Sequence, residues 1–479
     1  MIFNSIPFAI FFVFFYFLYW LAAARSTKIR NIILLIGSYF FYAWWDWQFL
    51  FLLIGVTLVT YISANYISKT INEKSKSIVF ALNIIVSIGI LVYFKYTNFF
   101  ISSFINLLDS FGFKTNLSVL QIILPLGISF YLFRAISYIL DVKNGKAKAR
   151  IDLLLFANHI AFFPSLISGP IDRAKTLIPQ LEKEIKFDYS QTTDGLRQIL
   201  WGLFKKIVVA DNLAAATLPI FDGYLTMQPN ILLLGAFYFS IQLYADFSGY
   251  SDMAIGIAKL LGFNITKNFD FPYFSQSVSE FWRKWHISLT SWLTDYIFTP
   301  ISIHLRDYPK LSLFVGIITT FLISGLWHGA NWTFVVWGAL HGLYYVPSII
   351  MGTMLSKKKK NKEQTLIQKL SDYKNMLGLF LLIMLTNVFF KAQSIQQAVT
   401  YLMRLVSLET FQIPTLYKSQ FPAVIILLSI EWSQKNASHG LQNFGIKWPQ
   451  VVRWLFYFIL VALIFIYNNK EQQFIYFQF

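Results

Sequence analysis

Six histidines are the residues of this chain best suited to chemistry: His159, His286, His304, His328, His341 and His439. An imidazole titrates near neutrality, and an ionisable group in hydrocarbon is costly, so a histidine inside an apolar run is a functional candidate by default. His328 sits in SGLWHGANW, between the apolar runs LFVGIITTFLISGLW and TFVVWGALHG. That places it at a glycine-flanked break between two helices. Gly325 and Gly329 carry no side chain, so a substrate or a neighbouring backbone can come close to the ring. The bland alternative is a histidine hydrogen-bonded between helices. His286 lies in FWRKWHISLTSW. If that segment is helical, Trp282, His286, Leu289 and Leu293 share one face. An interfacial amphipathic helix explains the pattern equally well. His341 reads as packing against Trp337, with a supporting role open. His159 heads a proline-rich segment, and His304 and His439 read as loop residues.

A neutral imidazole suits removal of a proton from a hydroxyl as it attacks an activated acyl carbon. Charge developing on the carbonyl oxygen needs donors, which backbone N–H groups at the glycine-rich break can supply. His328 and His286 are therefore the catalytic candidates. Asp246, Ser248 and Asp252 lie in QLYADFSGYSDMAIGIAKLLGF, an apolar setting. They read either as a polar wall for an acyl donor or as a network that holds helices together. Trp285, Trp327, Asn331 and His341, close to the two histidines in sequence, complete the set of substrate-binding candidates. Other chemistries lack their signatures. There is no G-x-S-x-G elbow, no H-E-x-x-H and no G-x-x-x-x-G-K-[ST]. Cys is 0, which excludes a thiol nucleophile and any cysteine-held metal. No metal site or bound cofactor is expected.

The elements that must position these residues are membrane helices. Hydrophobic residues make up 56% and charged residues 13% of 479 residues, too little charge to cover a soluble protein of this length. Roughly ten to twelve apolar runs approach the length of about 20 residues that a span needs. They fall near 7–24, 31–45, 48–68, 78–97, 120–140, 195–218, 231–250, 311–327, 332–350, 376–391, 421–434 and 451–468. The first is expected to be a retained span and not a cleaved signal. The formal charge of +17 reflects lysines and arginines between apolar runs, a positive-inside bias and not a nucleic-acid surface. Arg25, Lys28 and Arg30, then Lys69, Lys74 and Lys76, then Lys143, Lys146, Lys148 and Arg150, then Lys357–Lys360 with Lys362, all fall on one side if that side is cytoplasmic. Trp44-Trp45-Asp46-Trp47 then forms a tight external turn. Two stretches are not ordinary spans. Residues 153–180 contain FFPSLISGPIDR and read as re-entrant, because proline breaks helices and irregular backbone at membrane depth must be buried in protein. Residues 265–310 read as a cytoplasmic amphipathic region. No repeat and no second soluble domain is visible, so a single all-α polytopic domain over 1–479 is expected.

Eight segments in order carry a resemblance: SYFFYAWWDWQFL, FKYTNFF, LPLGISFYLFRAISYILDV, FFPSLISGPIDRAKTLIPQL, YADFSGYSDMAIGIAKLLGF, FWRKWHISLTSWLTDYIFTP, SGLWHGANWTFVVWGALHG and the closing FIYFQF. Together they resemble the membrane-bound O-acyltransferase superfamily, in the branch of the alginate and peptidoglycan O-acetyltransferase membrane subunits. After YIFTP many relatives continue with a glycine-rich turn, whereas this chain reads ISIHLRDYPK. The resemblance implies that His328 is the superfamily's invariant histidine and His286 its second, more variable position. It implies a ring of transmembrane helices with re-entrant segments around a central tunnel. It further implies acetyl-CoA as cytoplasmic donor, a periplasmic serine esterase-like partner, an exported polysaccharide as final acceptor, and residence in the bacterial inner membrane. Two alternatives stay open at this point: D-alanyl transfer of the teichoic-acid type, and transport of a polymer precursor, which broken helices with polar groups would also suit.

Overall fold

The computed structural model describes residues 1–149, 152–351, 366–407, 418–468 and 474–475. Arg150, the Lys357–Lys360 run with Lys362, and all of the closing FIYFQF except Phe474 and Ile475 lie outside the described residues. The described residues are predominantly helical, and none of them lies in a strand. Eight helices among them are long and apolar enough to cross a membrane. The chain is an all-α, multi-pass membrane protein. It divides into two compact units, Met1–Leu196 with Ala254–Thr266, and Arg197–Met253 with Lys267–Phe479.

In the first unit, Ile6–Ala23, Thr27–Ala43, Gln48–Lys69 and Glu73–Leu91 follow one another with short connections. Ser5, Ser26 and Asn72 cap three of their N-termini by accepting backbone N–H bonds. Trp44 to Trp47 form the expected tight turn, fixed where Asp46 accepts from the Gln48 N–H at 2.9 Å. The run expected at 120–140 becomes helical only at Ile128–Lys143. Gly127 begins it at φ +70°, and a Cβ there would lie 2.6 Å from the Leu166 carbonyl oxygen.

The 153–180 stretch is broken, as its prolines and glycine predict: a helix Leu153–Ala161, a 3-10 turn Phe163–Ser165, irregular backbone, then Ala174–Glu182. Irregular backbone leaves carbonyls without helical partners, and buried carbonyls must be satisfied. Arg134, with 0% exposure, does this. Its guanidinium donates to the carbonyls of His159 and Ile160 at 3.2 and 3.3 Å, to Ser165 O at 2.7 Å and to Ser165 Oγ at 2.6 Å. Asp172 ties the far end by accepting from Thr266 N and Oγ1 at 2.9 and 2.8 Å. Lysine cannot reproduce this fork of donors. Arg134→Lys is therefore expected to lower thermal stability in detergent by about 1.5–3 kcal/mol. An unchanged melting temperature would show that the turn holds without the fork.

The 195–218 run, which enters the second unit at Arg197, is no plain span: helix Tyr189–Leu203 widens into a π-helix at Phe204–Asp211 before Asn212–Asp222. A π-turn inserts a residue into the helical ladder and often marks a functional or polar site. The 265–310 region folds as short pieces, Val278–Lys284, Ile287–Leu293, Thr294–Phe298 and Thr299–His304. Pro309–His328 and Trp332–Leu343 form a tight helical hairpin. Gly325 and Gly338 allow it, since a Cβ on either would overlap a carbonyl oxygen of the opposite helix, Phe334 O or Phe321 O. Leu366–Lys391, Ile395–Leu405, Phe421–Ser433 and Gln450–Tyr467 complete the unit.

Candidate active site

His328 is the last residue of Pro309–His328, where the chain leaves the helix at Gly329 (φ −165°) and re-enters it after Asn331. The glycines beside it serve helix packing: a Cβ on Gly329 would overlap the Phe334 ring, and one on Gly325 the Phe334 backbone. Asn331 is the cap of the second helix, accepting from Thr333 N at 3.0 Å and donating to Gln393 O at 3.0 Å.

His286 is not on a continuous helix face. It sits between Val278–Lys284 and Ile287–Leu293 with φ +42° and ψ +53°. The break turns its ring away from the amphipathic register that sequence spacing suggested. A non-glycine residue held in the left-handed region costs about 1–3 kcal/mol and persists where the surroundings over-determine it. Here the surroundings are Asn268 and the short backbone clasp Ile287 N to Asn268 O (2.8 Å) and Asp270 N to Lys284 O (2.9 Å).

The break brings the two catalytic candidates together. The ring centroids of His286 and His328 are 6.5 Å apart, and Trp327 touches both, at 5.6 and 4.9 Å. Trp337 and Phe390 close the other sides of His328 at 5.0 and 5.4 Å, and Phe247 stands edge-on to His286 at 4.6 Å. His286 is 0% and His328 2% exposed. Burial pushes the His286 imidazole down to about 3, so it is neutral across the physiological range. Substrate contact with either ring requires these aromatic side chains to move.

Trp285 packs into the aromatic wall around Tyr244, Phe269 and Phe281. His341 also packs against Trp337, at 4.6 Å, with Trp282 edge-on at 5.0 Å, and neither of its ring nitrogens hydrogen-bonds among the described residues. The expectation that it packs against Trp337 holds. A mostly apolar cavity of about 300 Å³ opens beside it, lined by Trp282, Arg283, Thr320, Phe321, Ser324 and Tyr345.

Asp246, Ser248 and Asp252 belong to a separate buried network. Lys206 Nζ is 2.8 Å from both Asp211 and Asp246. Lys205 Nζ is 2.5 Å from Asp252, 3.8 Å from Glu431 and 3.0 Å from Ser248 Oγ. Gln198 donates to Asp252 at 2.8 Å, and the Ile475 N–H to Asp246 at 2.8 Å. Sequence reasoning missed both lysines. Their signal was available, as two adjacent ammonium groups inside the apolar run FKKIVVAD. It missed Asn268 as well, whose only sequence cue is its position ahead of FDFPY.

Known proteins resemble this chain over most of its length. Residues 146–390 match the model of MBOAT, the membrane-bound O-acyltransferase family. A probable alginate O-acetylase of Pseudomonas aeruginosa is 37% identical over 423 residues, covering 88% of this chain and 77% of that protein. A probable alginate O-acetylase of Pseudomonas putida is 33% identical over 506 residues, covering 100% of both. A peptidoglycan O-acetyltransferase of Helicobacter pylori is 29% identical over 506 residues, covering 96% and 93%.

Proposed function

Because the chain belongs to the membrane-bound O-acyltransferase family, we propose that it takes an acetyl group from acetyl-CoA on the cytoplasmic side of the bacterial inner membrane and passes it outward for O-acetylation of an exported polysaccharide. The observation that carries this reading is the pair of buried imidazoles 6.5 Å apart around Trp327. His328 takes the proton of the attacking hydroxyl as its oxygen bonds to the acyl carbon. The carbon–sulfur bond of the thioester breaks, and the proton leaves with the thiolate. His286 supports His328 by accepting or relaying that proton. The aromatic enclosure keeps water from the activated acyl group. The names of the relatives point to alginate, peptidoglycan or a similar polymer as the final acceptor, and in this reading a periplasmic serine esterase-like partner would carry the acetyl group to it.

A cavity of about 470 Å³ supports a nucleotide-bearing donor. Lys284, which also pairs with Glu280 at 2.9 Å, Lys369 and Lys435 line it together with Asp372, Phe274, Tyr373 and Trp432, so that ammonium groups exceed carboxylates among the lining residues and ring faces stand beside them for a base. Lys284 is two residues before His286. The triple variant Lys284→Glu/Lys369→Glu/Lys435→Glu is expected to raise the KM for acetyl-CoA at least about tenfold, the worth of one lost charge-assisted contact, with kcat little changed. An unaltered KM would remove this cavity from the reading.

The deciding experiment supplies purified protein in vesicles with acetyl-labelled CoA or with a carrier-bound D-alanyl thioester. Release of CoA with transfer of label to a hydroxyl acceptor is the expected result. Consumption of the carrier thioester alone would overturn acetyl-CoA as donor and favour D-alanyl transfer.

A further inference from the structure

Asn268 is 0% exposed and lies against the site without being part of it. Its Oδ1 is 2.9 Å from Ser288 Oγ, 3.3 Å from the Ser288 backbone nitrogen and 3.1 Å from His286 Nδ1. Its Nδ2 donates to Ser251 Oγ at 3.1 Å. These contacts decide which end of the amide is which. A backbone N–H only donates, so the atom facing Ser288 N is the oxygen. An amide oxygen only accepts, so His286 Nδ1 must carry a proton to bond to it. A neutral imidazole holds one proton, and the lone pair is then on Nε2.

We infer that Asn268 is a positioning residue that holds His286 in the Nδ1–H tautomer and so makes Nε2 a proton acceptor. This rests on the reading of His286 as a catalytic partner and sharpens it. In the resting enzyme His286 has no Nε2 proton to offer a thioester carbonyl, so it enters the reaction as a base. The proton from the hydroxyl oxygen comes to Nε2, directly or through His328, and returns to the thiolate sulfur when the carbon–sulfur bond has broken. No further co-reactant is needed. The left-handed backbone of His286 fits the same role, because Asn268 also accepts the Ile287 N–H through its own carbonyl at 2.8 Å. One residue thus fixes both the ring and the chain that carries it.

The test reads the tautomer itself. In water the Nε2–H form of neutral imidazole is the favoured one, so a resonance held at Nδ1–H is diagnostic. Histidine-selective ¹⁵N labelling of the full chain, with His286→Gln used only to assign the signal, is expected to show Nδ1 protonated and Nε2 bare. Asn268→Ala should mix the tautomers and lower kcat about 100-fold with KM for acetyl-CoA little changed, the pattern of an imidazole released from its orienting acceptor. Asn268→Asp keeps an acceptor at the same place and should restore the Nδ1–H signal and activity to within about tenfold of the parent. An Nε2–H signal in the parent protein would overturn the inference whatever the activities, and so would equal losses in the alanine and aspartate variants. Full activity of His286→Ala would instead overturn the reading beneath it, while the ¹⁵N signal stood.

Discussion

His328→Ala is expected to lower acetyl transfer by about 10²- to 10⁴-fold, the usual worth of a general base, while leaving insertion and folding intact. The folding half of this expectation follows from position. His328 closes the helix Pro309–His328, and alanine is a good helix former there. What surrounds the ring is aromatic: Trp327, Trp337 and Phe390. Removing it leaves a void and strands no charge. Size-exclusion behaviour in detergent should be that of the parent. His341→Phe is the matched control, because His341 is also a buried imidazole against Trp337 yet its ring nitrogens make no hydrogen bonds among the described residues. That variant should transfer acetyl close to the parental rate. Parental activity in a well-folded His328→Ala protein would end the assignment, and a comparable loss in His341→Phe, which keeps an aromatic ring against Trp337, would show that the His341 imidazole also takes part.

The large-scale organisation was legible because hydrophobic length is a direct statement about bilayers. The helical hairpin around His328, the helix break after Ala161 and the tryptophan turn at 44–47 all appear where residue types demanded them. Two things were not legible, for different reasons. The break at His286 depends on Asn268, eighteen residues earlier, and helical spacing cannot register a side chain that clasps another segment. The run 195–218 satisfied the hydropathy of a span, and averaging over a window hid Lys205, Lys206 and Asp211. Asp246 and Asp252 were visible as costly groups, but their partners lie on another helix. Without the lysines they could be read as a binding wall. With them, they are half of an ionic core.

Lys206→Met should destabilise the protein by about 3–5 kcal/mol, because it removes one partner of a buried ion pair and leaves the other charges stranded. Lys206 Nζ bridges Asp211 and Asp246 at 2.8 Å each, and all three residues are about 3% exposed. Without the ammonium, two carboxylates are left in one dry site without their counter-charge. An exposed pair makes the contrast. Lys76 and Glu73 are as close, at 2.6 Å, but Glu73 is 81% exposed, and Lys76→Ala should change stability by less than about 0.5 kcal/mol. The cause can be separated from lost packing by neutralising the partners. The triple variant Lys206→Met/Asp211→Asn/Asp246→Asn removes all three charges. Its amide oxygen at position 246 can still accept the Ile475 N–H that Asp246 holds at 2.8 Å. It should recover most of the stability that Lys206→Met loses, as measured by thermal unfolding in detergent, and its acetyl transfer per folded molecule should return with it. If the triple variant is no more stable than the single one, the lysine stem and not its charge holds the helices. If stability returns but activity stays absent, Asp246 takes part in donor binding after all, and the ionic core is part of the active site.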